Sequence, residues 1–227
     1  MRLLLIIMIG FMVSGCTMAQ KYEMDEKALD AFTEIKVEKG INLTLIPSDT
    51  HLAKIKTRNF SLGKVFLEIE GERLYITREG SSFMNSSVNV TLYFKTLTNI
   101  EASGGSDIEQ EGTLKAEELR IEASGGSDIS LILDTYYLEC NLSGGSDMDI
   151  QGTSRAVLIG ASGGSDIDAD GLKVQNATLS LSGGSDADVY VTEELHIRAS
   201  GGSDVNVRGN PKKFSKETDR SSDISFN

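Results

Sequence analysis

The stretch Ile121-Glu122-Ala123-Ser124-Gly125-Gly126-Ser127-Asp128-Ile129-Ser130-Leu131 decides the fold. Apolar residues fall at 121, 123, 129 and 131, alternating with polar residues on either side of a glycine pair. Alternation with period two marks a strand that buries one face. Adjacent glycines supply a tight bend, because they tolerate positive φ and close backbone approach. The unit is therefore strand, corner, strand.

Working outward, Ser-Gly-Gly-Ser-Asp occurs six times, with first glycines at 104, 125, 144, 163, 183 and 201. The spacings are 21, 19, 19, 20 and 18 residues, and a fixed period of this size marks a solenoid. A degenerate seventh copy, Arg220-Ser221-Ser222-Asp223-Ile224, starts nineteen residues after Gly201. Gly209 to Asp219, with Pro211, reads as a looped excursion before that last rung.

Aligned on the corner, the repeats form apolar columns. Four places upstream of the first glycine stand Ile100, Ile121, Cys140, Ile159, Leu179 and Ile197; the residue after the aspartate is Ile108, Ile129, Met148, Ile167, Ala187, Val205 or Ile224. Like stacks on like. Residues 32–98 lack the glycine pair but keep strand-like runs at Phe32–Glu38, Ile41–Ile46, Leu52–Thr57, Val65–Ile69, Leu74–Thr77 and Val88–Phe94. The fold class is all-β: a parallel β-helix with irregular first rungs. Residues 32–227 at this period predict about ten rungs, a rod on the order of 48 Å long at ~4.8 Å per layer.

The start of the chain reads as an address. Leu3–Val13 is an eleven-residue apolar run behind Arg2, suited to a signal h-region and too short to span a bilayer. It ends in Val13-Ser14-Gly15-Cys16, which resembles a bacterial lipobox: cleavage would free Cys16 for lipid attachment and remove residues 1–15. Ordinary cleavage after Thr17-Met18-Ala19 is the alternative. Residues 16–31 then read as a polar tether, with a short helix near its end. Membrane contact is expected through a lipid anchor, with no later stretch long or apolar enough to span.

Composition excludes some functions. With 39% apolar residues and 23 glycines among 227, the chain can build a core. Its net charge of −12 argues against nucleic acid as a partner, since phosphate binding needs clustered Lys and Arg. Aromatic residues are 6%, with no Trp, which disfavours a deep sugar-stacking cleft.

The candidate ligand ladder is the aspartate column, Asp107, Asp128, Asp147, Asp166, Asp186, Asp204 and Asp223, beside a second outward column that includes Glu109, Asp149, Asp168 and Asp188. Carboxylates ~4.8 Å apart repel by about 1 kcal/mol per neighbour in water. Each aspartate is expected to accept hydrogen bonds from its own turn, with weak calcium binding along the face as the alternative; no other cofactor is expected. The calcium nonapeptide repeat does not fit, as its period is nine. Catalysis by paired carboxylates needs two different environments, and a ladder of identical acids does not split them. His51 and His196 read as surface residues, and Cys140 as a core residue.

Phe32-Thr-Glu-Ile-Lys-Val-Glu-Lys-Gly40-Ile41-Asn42-Leu-Thr-Leu, together with the Ala-Ser-Gly-Gly-Ser-Asp rungs, resembles the putative auto-transporter adhesin, head GIN domain family, from about residue 32 to the end. The resemblance implies a right-handed single-stranded β-helix in a Gram-negative envelope, often behind a lipoprotein signal, and carries over no catalytic residues. The expected function is that of a non-enzymatic lipoprotein of the outer membrane, an adhesin or surface-binding solenoid for a polymer or protein partner. A purely structural envelope lipoprotein and a β-helix carbohydrate-active enzyme are the alternatives.

Overall fold

The computed structural model describes residues 20–80 and 85–227. Cys16 and the signal-like run lie outside them. Among the described residues there are seventeen strands and a single 3₁₀ turn, Leu62–Lys64.

The regular part is a parallel β-solenoid. Strands β8 (Asn99–Ser103) and β9 (Asp107–Gln110) flank the first Gly-Gly corner, and β10 (Leu114–Ser124) leads into the second. Then β11 (Asp128–Ser143), β12 (Asp147–Ser162), β13 (Asp166–Ser182) and β14 (Asp186–Ala199) each run from one corner to the next. The final rungs are β15 (Asp204–Gly209), β16 (Lys213–Thr218) and β17 (Asp223–Phe226). Pairing is parallel and like on like: Ile121 lies beside Ile100 and Cys140, and Cys140 beside Ile159. The predicted inward columns form the core. Ile100, Ile121, Cys140, Leu179 and Ile197 are fully buried. Fully burying one such side chain contributes about 1.5–3 kcal/mol.

Three expectations need correction. The solenoid has about seven turns, not ten, which at ~4.8 Å per layer is on the order of 34 Å. The reason lies in residues 48–98. Every predicted run there is a strand, but two of them fold back instead of climbing. Strands β2 (Glu34–Glu38) and β3 (Asn42–Pro47) carry the first full level; β6 (Arg73–Arg78) and β7 (Ser87–Phe94) lie parallel to them. Beyond that level, β4 (Leu52–Arg58) runs antiparallel to β7, and β5 (Val65–Glu70) antiparallel to β6. These strands cap the end rather than add rungs.

The second correction concerns the predicted tether. Residues 22–28 form β1 (Tyr22–Ala28), antiparallel to β4, with no helix. Its inward positions, opposite Thr57, Ile55 and Ala53, are Glu23, Asp25 and Lys27, so no apolar stripe was visible in the sequence. The third is the looped excursion, most of which is strand β16, paired to β14 with Lys216 beside Ile197 and all six residues exposed. Charges that point inward on edge strands hinder further strand addition, and both ends of the rod carry them.

Candidate functional site: the corner ladders and the acidic face

At each regular corner both glycines hold positive φ, +65° to +75° at the first and +70° to +82° at the second. A Cβ on the first glycine of the second to sixth corners would come within 2.8–3.3 Å of the backbone nitrogen of the preceding corner's first glycine. Closeness and backbone conformation both demand glycine there.

The second serine of each repeat points inward and is fully buried from Ser106 to Ser203. Its hydroxyl donates to the carbonyl three residues back, as from Ser127 to Ser124 at 3.0 Å and from Ser146 to Ser143 at 3.1 Å. From Ser127 to Ser222 the hydroxyl also accepts the amide of the corresponding serine one rung earlier, at 3.2–3.4 Å. The ladder satisfies buried backbone groups that the bend removes from the sheet. The repeat string shows that the serines recur; which groups they bond follows only from the geometry.

The first corner explains the Gly-Ile-Asn motif. Asn42 pairs beside Asp107, so Gly40 stands at the second-glycine place, Ile41 at the buried-serine place and Asn42 at the aspartate place. Lys39 adopts φ +67° at the first-glycine place, and its amide donates to Ser103 O at 3.2 Å. The hydroxyl of Ser106 accepts the Gly40 amide at 3.2 Å. Gly-Ile-Asn is thus the opening corner of the same ladder. A family model described as putative auto-transporter adhesin, head GIN domain, matches residues 31–211. The chain belongs to this family.

Solved structures share the head GIN fold. A putative adhesin from Bacteroides fragilis superimposes with a TM-score of 0.85 at 19% identity, over 91% of this chain and 97% of that one. A putative adhesin from Parabacteroides merdae gives 0.77 at 18%, over 91% and 96%. A protein from Parabacteroides distasonis described as a putative lipid binding protein gives 0.75 at 16%, over 91% and 96%. No curated protein matches the chain significantly.

On the head GIN scaffold the seven predicted aspartates do form one column. Asp107, Asp128, Asp147, Asp166 and Asp186 pair in register, and Asp204 pairs with Asp223. Six are exposed and Asp107 is half-buried. Burial first, then the charges of Asp128 and Glu109, pushes the Asp107 carboxyl above the usual range. Asp223 shows the expected local bond, accepting the Ile224 amide at 2.9 Å, while Asp186 and Asp204 bond between rungs. Asp186 accepts the Asp204 amide at 3.1 Å, and Asp204 accepts the Asp223 amide at 3.3 Å. The Asp166, Asp168, Asp186, Asp188, Asp204 and Asp223 carboxylates line an open groove of about 370 Å³. Among the described residues no group of three or more His, Cys, Asp or Glu is arranged to hold a metal ion.

The opposite outer face is different. At its N-terminal end Lys36 pairs with Glu101 at 2.6 Å and Arg73 with Glu34 at 2.7 Å. Beyond them lies a shallow groove of about 420 Å³, lined by Glu122, Asn141, Gly160, Ser162, Ser180 and Ser182 among others. Short side chains at the middle rungs, between longer ones at the ends, create it.

The remaining candidates fall apart as sites. Cys140 is buried, and desolvation raises its thiol pKa far above the usual range, so it is an inert core residue. His196, outward on β14 as expected, is half-buried and bonds the Ser215 hydroxyl. His51 is not the free surface residue expected: it is half-buried, edge-on to Phe32 with ring centroids 4.7 Å apart, and burial lowers its pKa.

Proposed function

We propose that this head GIN protein is an envelope lipoprotein, anchored through Cys16 to the outer membrane, that works by multivalent binding and not by catalysis. The observation that carries the reading is the in-register ladder of outward carboxylates on a rigid stack. Repetition at ~4.8 Å presents the same weak contact many times, and linked weak contacts add through effective concentration. The partner is a polymer or protein surface bearing regularly spaced donors or cations. Membership of an adhesin-like family supports an extracytoplasmic role. Weak calcium binding along the column belongs to the same reading, as screening between carboxylates rather than as a built metal site.

A glycan and basic-polymer array tests this. The wild type should bind a defined class, and Asp147→Asn, Asp166→Asn and Asp186→Asn combined should lower the signal while leaving the fold intact. Unchanged binding would move the site to the other face. No binding to any polymer or envelope protein would leave the purely structural role. For the anchor, a palmitate analogue should label the wild type and not Cys16→Ala.

A further inference from the structure

The outer face that carries the acidic column changes character at its N-terminal end. Strand β4 projects Lys54, Lys56 and Arg58 outward, three cations at alternate positions. Paired beside Arg58, Lys56 and Lys54 on β1 are Tyr22, Met24 and Glu26, with Met24 and Tyr22 exposed by 65% and 50%. Lys56 lies 5.4 Å from the Tyr22 ring centre and Lys54 lies 5.2 Å from that of Tyr93. Lys54 has one exposed ion pair, to Glu26 at 3.8 Å, and Lys56 meets no carboxylate among the described residues. Cations interleaved with amphipathic rings and an exposed thioether suit a lipid headgroup layer.

Two further observations fix the occupant. First, β1 begins at Tyr22, six residues after Cys16, so the linking chain reaches at most about 20 Å. An anchored rod must keep this end near the bilayer. Second, β7 and β3 separate β4 from β9, where the carboxylates start, and both present uncharged residues outward: Asn89, Thr91 and Tyr93, then Asn42, Thr44 and Ile46. Three strand steps are about 14 Å, beyond the ~8–10 Å screening length at physiological salt. The basic end can therefore approach an anionic surface without bringing the acidic column within range.

We propose that the outer face of β1 and β4 docks on the anionic phospholipid headgroups of the membrane that holds the anchor, so the rod leans with its cationic end down and its acidic column away. The proposal rests on the lipid-anchor reading for its location, and its test supplies the tether independently. The chain from residue 16 to 227, which retains every described residue, is coupled through Cys16 to a maleimide lipid in vesicles; Cys140 is buried and does not compete. Amine acylation is then followed residue by residue on phosphatidylglycerol-rich and phosphatidylcholine vesicles.

Lys54 and Lys56 should react several-fold more slowly on the anionic vesicles. Lys212 and Lys213, exposed at the far end, should react equally on both, and Lys56→Glu should restore the reactivity of Lys54. Equal rates at Lys54 on the two lipids, equal slowing at Lys212 and Lys213, or slowing that survives Lys56→Glu would each overturn the docking. A missing palmitate label on Cys16 in cells would instead remove the anchor and leave the vesicle result to stand alone.

Discussion

The hydroxyl of Ser146 accepts the backbone amide of Ser127 at 3.2 Å, across the boundary between two rungs. The same hydroxyl donates to the Ser143 carbonyl at 3.1 Å, so one side chain closes its own corner and ties down the preceding one. Ser146→Ala leaves a buried donor and a partly buried acceptor unpaired, at a cost of about 1–3 kcal/mol. Chemical denaturation should show a lower midpoint, whereas Ser143→Ala, at an exposed hydroxyl, should stay within about 0.5 kcal/mol. Equal midpoints would mean that the ladder adds nothing to stability.

The two glycines of a corner should differ on substitution. Gly163 and Gly164 both hold φ +75°, which costs an L-residue about 1–2 kcal/mol. A Cβ on Gly163 would also lie 3.2 Å from the Gly144 nitrogen, while one on Gly164 would find its nearest neighbour at 3.9 Å. Gly163→Ala should therefore lower the melting temperature more than Gly164→Ala, because neighbouring backbone cannot yield as a side chain can.

Asp107 should be a net liability at neutral pH. Its carboxyl titrates above the ordinary value because burial and the neighbouring acids disfavour its charge. A native pKa above the unfolded one means that folding loses stability as pH rises through this range and stays weakened at pH 7. Asp107→Asn should raise the melting temperature at pH 7, on the order of 1 kcal/mol from relieved repulsion, and the gain should vanish near pH 3. Asn42, one rung earlier in the same column, already has the neutral side chain.

Asp219 should behave in the opposite way. The Gly201 amide at 2.9 Å, helped by Ser221, holds its carboxyl at about 2. With a depressed native pKa, its stabilisation is present above the unfolded value and lost as pH falls through about 2. Hydrogen-exchange protection of β16 and β17 should drop between about pH 4 and 2 ahead of the central rungs. In Asp219→Asn that early step should be gone and the last rung already loosened at pH 7.

The sequence by itself determined the middle of this protein. From Ile100 to Ile224 the apolar columns, the corners and the aspartate ladder are all local, because strand alternation and a fixed period leave one register that buries every inward side chain. Asp128 could only stack on Asp147 once Ile129 stacked on Met148. Only the tertiary structure decided the ends. Strands β4 to β7 alternate as the rungs do, yet two of them turn back antiparallel, a choice set by which hairpin covers the exposed core and not by periodicity. Strand β1 has charged residues at its inward positions, so it carried no apolar stripe to read; its place follows from the open backbone edge of β4. Lys39 in a glycine-like corner and Asp219 tied to Gly201 are of the same kind: contacts across rungs that exist only after the chain has coiled.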